Sequence, residues 1–416
     1  MKLNELNHWW IEKRVQKSFV PKTYRALFYT IKKDIARKQI QILVGMRRVG
    51  KSTIFYQLID DLIKNKTNPL CIIYCNFDEP ELQEKRIEDI LKEYSTLTDM
   101  DYRKERIYLF LDEAQKSKSW IDSVKLIYDN FPKIKILVSG SASLNILSEA
   151  KKNLAGRAVY YELRPLSFSE FLDLKGIIIE KKRFLLYQDL LEKEFDKVLL
   201  RPFPEIVFEK DKSFIKTYIR NSVIEPIILK DIPKEFKEVD VLLLEKIVNI
   251  FLTNPGQYLR IDELAKELGR AKTTLYKAIF YLEFSFLIKR LLNFRISIRS
   301  ASRKLSRIYA YHPCLLLPFD VNEERFAENL VLFELGAKYY WRDKDKEIDF
   351  LKEFVPIEVK FKTKISKEDT HCIEFFLKKY GKSLNFNRGY IITKNLDEKR
   401  GNVQMTPLWK FCFKGL

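Results

Sequence analysis

The sequence predicts an α/β protein, with a parallel sheet first, then a mostly helical stretch, and a small mixed α/β region at the end. Between residues 39 and 165, short β-branched runs alternate with helical stretches, which is typical of parallel strands joined by crossover helices. Apolar spacing then becomes helical and returns to a mixed pattern near the end. The predicted segments are 1–38 (basic helices), 39–166 (parallel α/β core), 167–238 (helical lid or linker), 239–313 (helix-turn-helix with a basic tail) and 314–416 (mixed α/β).

The composition restricts the class of protein. Hydrophobic residues make up 46% and aromatic residues 13% of the chain, which excludes global disorder. No apolar run approaches the roughly 18–20 residues that a membrane-spanning helix needs. Residues 1–10 lack a secretion-signal pattern, so we expect a cytoplasmic protein. The five Cys form no CxxC pair and the three His stand apart, so neither a disulfide framework nor a structural zinc site is expected.

The charge points to a polyanionic partner. Lys and Arg number 76 against 57 Asp and Glu, which gives a formal net charge of +19. Such an excess favours an extended polyanion, either nucleic acid or anionic lipid, although charge also serves solubility alone. We expect nucleic acid, DNA in preference to RNA, and no membrane.

Five runs are predicted as the strands of the parallel sheet, because each is short, apolar and rich in β-branched residues. They are Gln39–Val44, Leu70–Asn76, Arg106–Leu111, Lys135–Ser139 and Val159–Leu163.

The turn after the first of these strands matches the phosphate-loop pattern G-x-x-x-x-G-K-[ST]. Its residues are Gly45, Met46, Arg47, Arg48, Val49, Gly50, Lys51 and Ser52, with Thr53 continuing into a helix. The glycines let backbone N–H groups approach phosphate oxygens, and the helix directs its positive end at them. Lys51 would neutralise the β- and γ-phosphates, and Ser52 would ligate Mg²⁺. The loop therefore predicts a nucleoside triphosphate site.

Polar residues at the ends of other strands would complete this site. Asp112 would hold Mg²⁺ through water, and Glu113 would polarise the attacking water as general base. Ser139–Ser141 and Asn76 could sense the γ-phosphate, although plain loop hydrogen bonds would account for them equally well. Arg157 could stabilise transition-state charge on a neighbouring subunit, or could be an ordinary surface arginine.

Several motifs together carry a family resemblance. They are Gly45–Ser52, Leu109–Gln115, Ser139–Ser141, Gly156–Arg157, Pro165–Phe168, Phe203–Glu205 and Lys230–Ile232. They resemble the archaeal and bacterial AAA+-type ATPases, in the subgroup with a C-terminal nuclease-like domain. The resemblance implies a P-loop NTPase fold with a helical lid, ATP binding and hydrolysis with Mg²⁺, and assembly into a homo-oligomer that could be a ring. It names no substrate.

Two amphipathic helices joined at Gly269 form the next motif. Their apolar faces are Ile261, Leu264, Ala265 and Leu268, then Leu275, Ile279, Leu282 and Phe286. Such a pair is typical of a helix-turn-helix, whose second helix reads DNA. The side chains that it would present are Lys272, Thr273, Thr274 and Lys277.

A basic tail follows this helix pair and predicts a β-wing on backbone phosphate. Its residues are Lys289, Arg290, Arg295, Arg299, Arg303, Lys304 and Arg307. Helix pair and tail together resemble winged-helix domains, which also serve as protein-docking or multimer contacts.

Four charged residues of the last segment form a nuclease-like pattern. Two strands, 346–351 and 356–361, are predicted as a hairpin with Asp349 on one strand and Glu358 and Lys360 sharing one face of the other. Asp349 and Glu358 would ligate a metal, Lys360 would position water or stabilise charge, and Glu328, predicted to open a helix, would assist. The pattern resembles the PD-(D/E)xK nuclease fold, although no Pro precedes Asp349. A degenerate nuclease domain used for DNA docking or assembly is the alternative.

The sequence as a whole predicts an AAA+-type ATPase coupled to DNA binding or remodelling. Two alternatives stay open at this point, an ATP-dependent nuclease and a nucleotide-dependent protein-binding switch or scaffold.

Overall fold

The computed structural model describes residues 2–117, 119–141, 153–236, 238–295 and 305–416. The chain divides into two units. The first unit comprises Met1–Leu166 and Phe203–Glu205, and the second comprises Ser167–Pro202 and Ile206–Leu416. Among the described residues, every helix is too short or too polar to span a bilayer.

The first unit is built on parallel strands. They are β1 Ile40–Gly45, β2 Ile72–Asn76, β3 Ile107–Asp112, β4 Ile134–Ser141 and β5 Ala158–Glu162. Its helices are α1 Leu3–Leu6, α2 Trp9–Glu12, α3 Ala26–Asp34, α4 Lys51–Lys64, α5 Pro80–Gln83, α6 Ile87–Thr98 and α7 Trp120–Asn130. Short 3₁₀ turns lie at Lys17–Phe19, Pro69–Cys71 and Ala114–Lys116.

The strands of the first unit pair in the order β2-β3-β4-β1-β5, all parallel. Strands β1 and β3 are almost wholly buried, as continuous apolar runs in a covered parallel sheet should be. Helix α4 packs on the sheet, with the ring of Phe55 edge-on to that of Phe110 at 5.2 Å between centroids. The predicted parallel sheet and its strands are confirmed.

The amino-terminal helices pack on strand β2 of this sheet. The Asn7 amide donates to the Tyr74 carbonyl at 2.9 Å and its oxygen accepts the Tyr74 N–H at 2.7 Å. The fully buried indole of Trp9 donates to the Ile72 carbonyl at 3.1 Å. Residues 2–38 are therefore part of the first unit and supply apolar cover for the sheet edge.

The second unit combines helices with one mixed sheet. Its helices are α8 Phe168–Leu174, α9 Gln188–Leu200, α10 Lys212–Ile219, α11 Ile232–Glu235, α12 Val241–Thr253, α13 Ile261–Leu268, α14 Lys272–Phe284, α15 Glu323–Leu335, α16 His371–Tyr380 and α17 Leu408–Lys414. Its strands are β6 Gln257–Tyr258, β7 Ile288–Asn293, β8 Arg307–Ala310, β9 Tyr339–Asp343, β10 Lys346–Lys352, β11 Val355–Lys360, β12 Gly389–Thr393, β13 Glu398–Arg400 and β14 Val403–Pro407. Shorter turns are the π-helical Arg220–Ile224 and Ile227–Asp231 and the 3₁₀ turns Lys181–Tyr187, Pro313–Leu316 and Glu368–Thr370, while 3₁₀ turn Pro204–Ile206 runs from the first unit into the second.

One sheet runs through the second unit, in the order β13-β14-β12-β11-β10-β9-β7-β8-β6. Strands β7 and β9 pair in parallel, with Leu292 opposite Tyr339. This pair joins strands from the two segments that the sequence divides at residues 313 and 314. The five-segment division stays a prediction, and both of its last two segments contribute strands to this sheet.

Two predicted elements of the second unit are present with adjusted bounds. Helices α13 and α14 flank Gly269, whose φ of +61° ends α13 in the left-handed region that glycine tolerates. The hairpin of β10 and β11 pairs Phe350 with Ile357. Glu328 was expected to open a helix, but α15 begins at Glu323 because the Asn322 side chain caps its first turn.

Candidate nucleotide-binding site

The predicted phosphate loop joins strand β1 to helix α4. A Cβ on Gly45 would collide with the Leu163 carbonyl oxygen, so glycine is required there. Gly50 precedes α4 with a φ of +98°, a conformation that L side chains rarely adopt. Met46 and Val49 are fully buried, so only their backbone groups can face a phosphate. The sequence folds into a loop because two glycines allow the turn and two apolar residues anchor it.

Lys51 lies at the start of α4 and is almost completely buried. Its Nζ donates to the carbonyl oxygens of Gly45 and Met46, both at 3.0 Å. The same atom lies 3.9 Å from a carboxylate oxygen of Glu113. The loop therefore holds a cation beside the end of strand β3.

Asp112 ends strand β3 in a fully buried position and accepts several hydrogen bonds. The Tyr74 hydroxyl donates to it at 2.8 Å, and the hydroxyls of Ser139 and Ser52 also donate to it. Burial raises the pKa of Asp112, the neighbouring charge of Glu113 raises it further, and these hydrogen bonds oppose the rise. Ser52 and Asp112, both predicted as magnesium ligands, are thus in direct contact.

Glu113 follows in a left-handed turn, with a φ of +52°. Its carboxylate accepts a hydrogen bond from the Gln115 side chain at 2.7 Å, and its N–H points to Ser139 Oγ at 3.4 Å. Asn76 lies opposite Asp112 in the β2–β3 register, and its Oδ1 accepts the Asp78 N–H at 2.9 Å. Glu113, the predicted general base, therefore lies at the same edge of the sheet as the polar residues Ser139 and Asn76. The side chain of Ser141 is outside the described residues.

Two arginines hold the loop, and one of them has no recognisable signal in the sequence. Arg25 donates to the carbonyls of Val49 at 3.0 Å and Arg164 at 2.8 Å. Arg48, predicted to bind nucleotide, forms an ion pair with Glu205 at 2.6 Å. Sequence reasoning missed Arg25, and it missed Tyr74 as well, because a tyrosine within an apolar strand resembles an ordinary core residue.

Arg157 lies away from this group in its own chain. It immediately precedes β5, and its carbonyl oxygen accepts the N–H of Ile40, the first residue of β1. Its guanidinium forms two hydrogen bonds with Asp129, at 2.9 and 3.1 Å. The start of a parallel strand is opposite the end that carries the phosphate loop. A role for Arg157 on a neighbouring subunit stays a prediction.

The nuclease-like carboxylates of the second unit surround a buried arginine. Arg307, predicted as a wing residue on phosphate, is instead 6% exposed in its side chain. Its guanidinium lies 2.6 Å from Glu328, 3.1 Å from Glu347 and 3.4 Å from Asp349. The expectation of phosphate contact is wrong for Arg307, because a buried guanidinium needs carboxylate partners and finds three.

Glu358 and Lys360 form an ion pair at 3.0 Å beside this cluster. Burial raises the pKa of Glu358 to about 7, and Lys360 opposes that rise. Asp349 Oδ2 accepts the Val359 N–H at 3.0 Å. No group of three or more His, Cys, Asp or Glu side chains in the described part of the chain is arranged to hold a metal ion. Asp349 and Glu358 Oε2, both proposed to ligate a metal, are thus engaged with the protein, while the buried Glu358 Oε1 accepts no hydrogen bond from the described residues.

The predicted DNA-contact residues lie mainly on the surface. Lys272, Thr273 and Lys277 are exposed on α14, and Thr274 is half-buried. Lys272 pairs with Asp262 of α13. Arg295 is half-buried and donates to the Arg342 carbonyl at 2.7 Å. Arg299 and Arg303 lie outside the described residues.

Residues 37–172 match the family described as AAA domain. The first unit has the fold of a P-loop ATPase. Residues 193–319 and 326–411 match two domains of unknown function, DUF8612 and DUF4143.

Two uncharacterized proteins of Methanocaldococcus jannaschii are similar to most of the chain. One is 25% identical over 413 residues, which covers 92% of this chain and 90% of the relative. The other is 27% identical over 416 residues, which covers 90% of this chain and 84% of the relative. Among solved structures, the Aeropyrum pernix ORC1 protein in complex with DNA is 12% identical, with a TM-score of 0.35, over 74% of this chain and 94% of that chain.

Proposed function

We propose that the protein is a Mg²⁺-dependent ATPase whose nucleotide state is coupled to DNA binding or remodelling. The observation that carries the ATPase is the convergence of Lys51, Ser52, Asp112 and Glu113 at the carboxyl ends of two parallel strands. A cation, a hydroxyl and two carboxylates are the groups that phosphoryl transfer to water requires.

Each residue of this group fits one task. Lys51 and the backbone N–H groups of the loop would bind the β- and γ-phosphates. Ser52 and Asp112 would hold Mg²⁺, and the hydrogen bond between their side chains supports this assignment because it brings both groups to one place. Mg²⁺ would supply charge neutralisation on the phosphates. Glu113, oriented by Gln115, would accept a proton from the attacking water.

The coupling to DNA rests on the helix pair α13 and α14. Helix α14 exposes Lys272, Thr273 and Lys277, together with Tyr276, whose side chain is half exposed. An antiparallel pair of strands, β7 and β8, follows it. This order of helices and strands supports a winged-helix module that inserts α14 in the major groove.

A nuclease activity is not part of the proposal. In the PD-(D/E)xK fold a metal would need the carboxylates of Asp349 and Glu358, but Asp349 contacts the buried guanidinium of Arg307 and Glu358 Oε2 pairs with Lys360. These contacts favour docking or assembly as the role of the C-terminal strands. Long incubation of duplex DNA with the protein and Mg²⁺ should leave it uncut, and cleavage that disappears in Asp349→Ala would contradict this view.

The central test is steady-state ATPase activity with single-stranded, duplex and branched DNA at two salt concentrations. Lys51→Ala should abolish turnover. Lys64→Ala, on the same helix but exposed and paired with Asp60, is the matched control and should hydrolyse ATP at the wild-type rate. Stimulation by DNA that weakens with salt would support the coupling. An unaltered Lys51→Ala would refute the ATPase site, and a DNA-indifferent ATPase would refute the coupling and favour a protein-directed switch.

A further inference from the structure

Basic side chains surround a cavity of about 500 Å³ in the first unit, far from the phosphate loop. The cations that line it are Arg37, Lys38, Lys104, Arg106, Lys133 and Lys135. Among the described residues that line the cavity, Glu105 is the acidic one. We call this cavity the basic edge pocket.

The basic edge pocket lies at the amino-terminal edge of the parallel sheet. Its residues come from the segments that lead into β1, β3 and β4 and from the first two residues of β4, and these strands run in parallel. The phosphate loop and Asp112 follow the opposite ends of β1 and β3. Because a strand of six residues spans roughly 20 Å, the pocket is separate from the nucleotide site.

Lys135 forms the floor of this pocket and is 5% exposed. Its amine donates to the carbonyls of Arg37 at 2.8 Å and Gln39 at 2.6 Å. An ammonium group has three donors, so one remains beyond these two bonds. Burial lowers the pKa of Lys135 to about 8, the charge of Asp34 opposes this shift, and Arg106 adds to it. A buried cation beside further cations is costly, and an anion in the pocket would relieve that cost.

The surrounding cations are held in place but stay accessible. Lys133 donates to the Lys104 carbonyl at 2.7 Å, which ties two loops together. Arg37 pairs with Asp34 at 2.8 Å, and Lys104 lies 3.5 Å from Asp101 with 82% of its side chain exposed. With Glu105, these acids offset only part of the charge of the six cations.

We propose that the basic edge pocket binds consecutive backbone phosphates of nucleic acid. Five of its cations come from three separate loops and Lys135 from the start of β4, so the positive charge extends from a buried floor to exposed side chains, an arrangement that suits an extended chain of phosphates. The inference rests on the proposed function, since DNA is the partner of both the helix pair and the pocket, and it adds a DNA contact on the first unit, which carries the nucleotide site. The strands β1 and β3 would then carry DNA at one end and nucleotide at the other, which gives the coupling a short physical path.

The test compares two triple variants of the full chain. Lys104→Gln, Arg106→Gln and Lys133→Gln together remove three exposed pocket cations. Lys64→Gln, Arg86→Gln and Lys92→Gln remove three cations of similar exposure elsewhere on the same unit and form the matched control. Basal ATPase activity without DNA should equal that of wild type in both, which shows that the fold and the nucleotide site are intact.

Fluorescence anisotropy with a labelled duplex, over a range of salt concentrations, gives the affinity and its salt dependence. The slope of log K against log salt should fall by about 2 to 3 in the pocket variant, since each phosphate that the protein no longer neutralises lowers it by about 0.9. At low salt we expect the affinity of this variant to fall at least about tenfold, and the control variant should show much smaller changes in both quantities.

The outcomes separate the two proposals. If wild type binds DNA and the two triple variants bind it with equal affinity and slope, the pocket is refuted while the proposed function stands. If wild type binds no DNA, the coupling itself fails. A second probe is inorganic tripolyphosphate with Lys51→Ala, in which the phosphate loop is disabled. A thermal shift that is present in Lys51→Ala, lost when the three pocket substitutions are added to it, and unaccompanied by any DNA defect of the pocket variant would assign the pocket to small phosphates and overturn the nucleic-acid assignment.

Discussion

Replacing Arg307 should reveal how strongly the buried ion cluster stabilises the second unit. Arg307→Met keeps the apolar stem but removes the guanidinium that contacts Glu328, Glu347 and Asp349. The side chain of Glu328 is only 9% exposed, so its charge would be left without its buried partner. Removing one partner of a buried pair costs about 3–5 kcal/mol. For a unit of this size, each kcal/mol lowers the melting temperature by about 2–4 °C, so a loss of roughly 6–20 °C is expected.

Arg325→Met is the matched control for this prediction. Arg325 contacts the same carboxylate at 3.1 Å, but its side chain is 46% exposed. Solvent screens such a pair, so its loss should cost no more than about 1 kcal/mol. Thermal unfolding followed by circular dichroism measures both variants, and the double variant Arg307→Met with Glu328→Gln should recover part of the loss. Equal destabilisation by the two arginine variants would refute the reasoning, because burial would then not be the cause.

Two further predictions concern the first unit. Glu113→Gln should still bind ATP but hydrolyse it about 10²–10⁴-fold more slowly, because the amide cannot accept the proton from water. Filter binding and a turnover assay measure the two properties, and Glu93→Gln, which changes an acid paired with Lys85, is the control. An unchanged hydrolysis rate in Glu113→Gln would place the general base elsewhere. Lys135→Met should remove a pH dependence of stability. The folded-state pKa of Lys135 is about 8, below its usual 10.5, so the folded protein binds fewer protons than the unfolded chain between these values. Stability of wild type relative to Lys135→Met should therefore rise with pH in that window, by at most about 1.4 kcal/mol per pH unit. Urea unfolding at pH 7.5 and 9.5 measures the difference, and a constant difference would contradict the assignment.

The nucleotide site could be predicted from the sequence because its residues lie close to one another along the chain or at strand ends. Gly45–Ser52 is a contiguous motif, and Asp112 and Glu113 follow a recognisable apolar run. The carboxyl ends of parallel strands meet at one edge, so the sequence alone brings these groups together. Arg25 and Tyr74 could not be found in this way. Arg25 reaches the Arg164 carbonyl 139 residues away, Tyr74 reaches Asp112 38 residues away, and neither residue has a local signature.

The sequence by itself determined the parallel sheet, the phosphate loop and the helix pair around Gly269, since periodicity and turn residues are local properties. Tertiary structure alone decided the role of charges. Arg299, Arg303 and Arg307 look alike in a basic tail, yet Arg307 is buried among carboxylates brought by α15 and β10. Likewise, the cations of the basic edge pocket lie in separate stretches of the sequence and meet only because three parallel strands begin at the same edge. The sequence gives the number and order of the charged residues, but the effect of each charge depends on its burial and on the partners that folding brings near it.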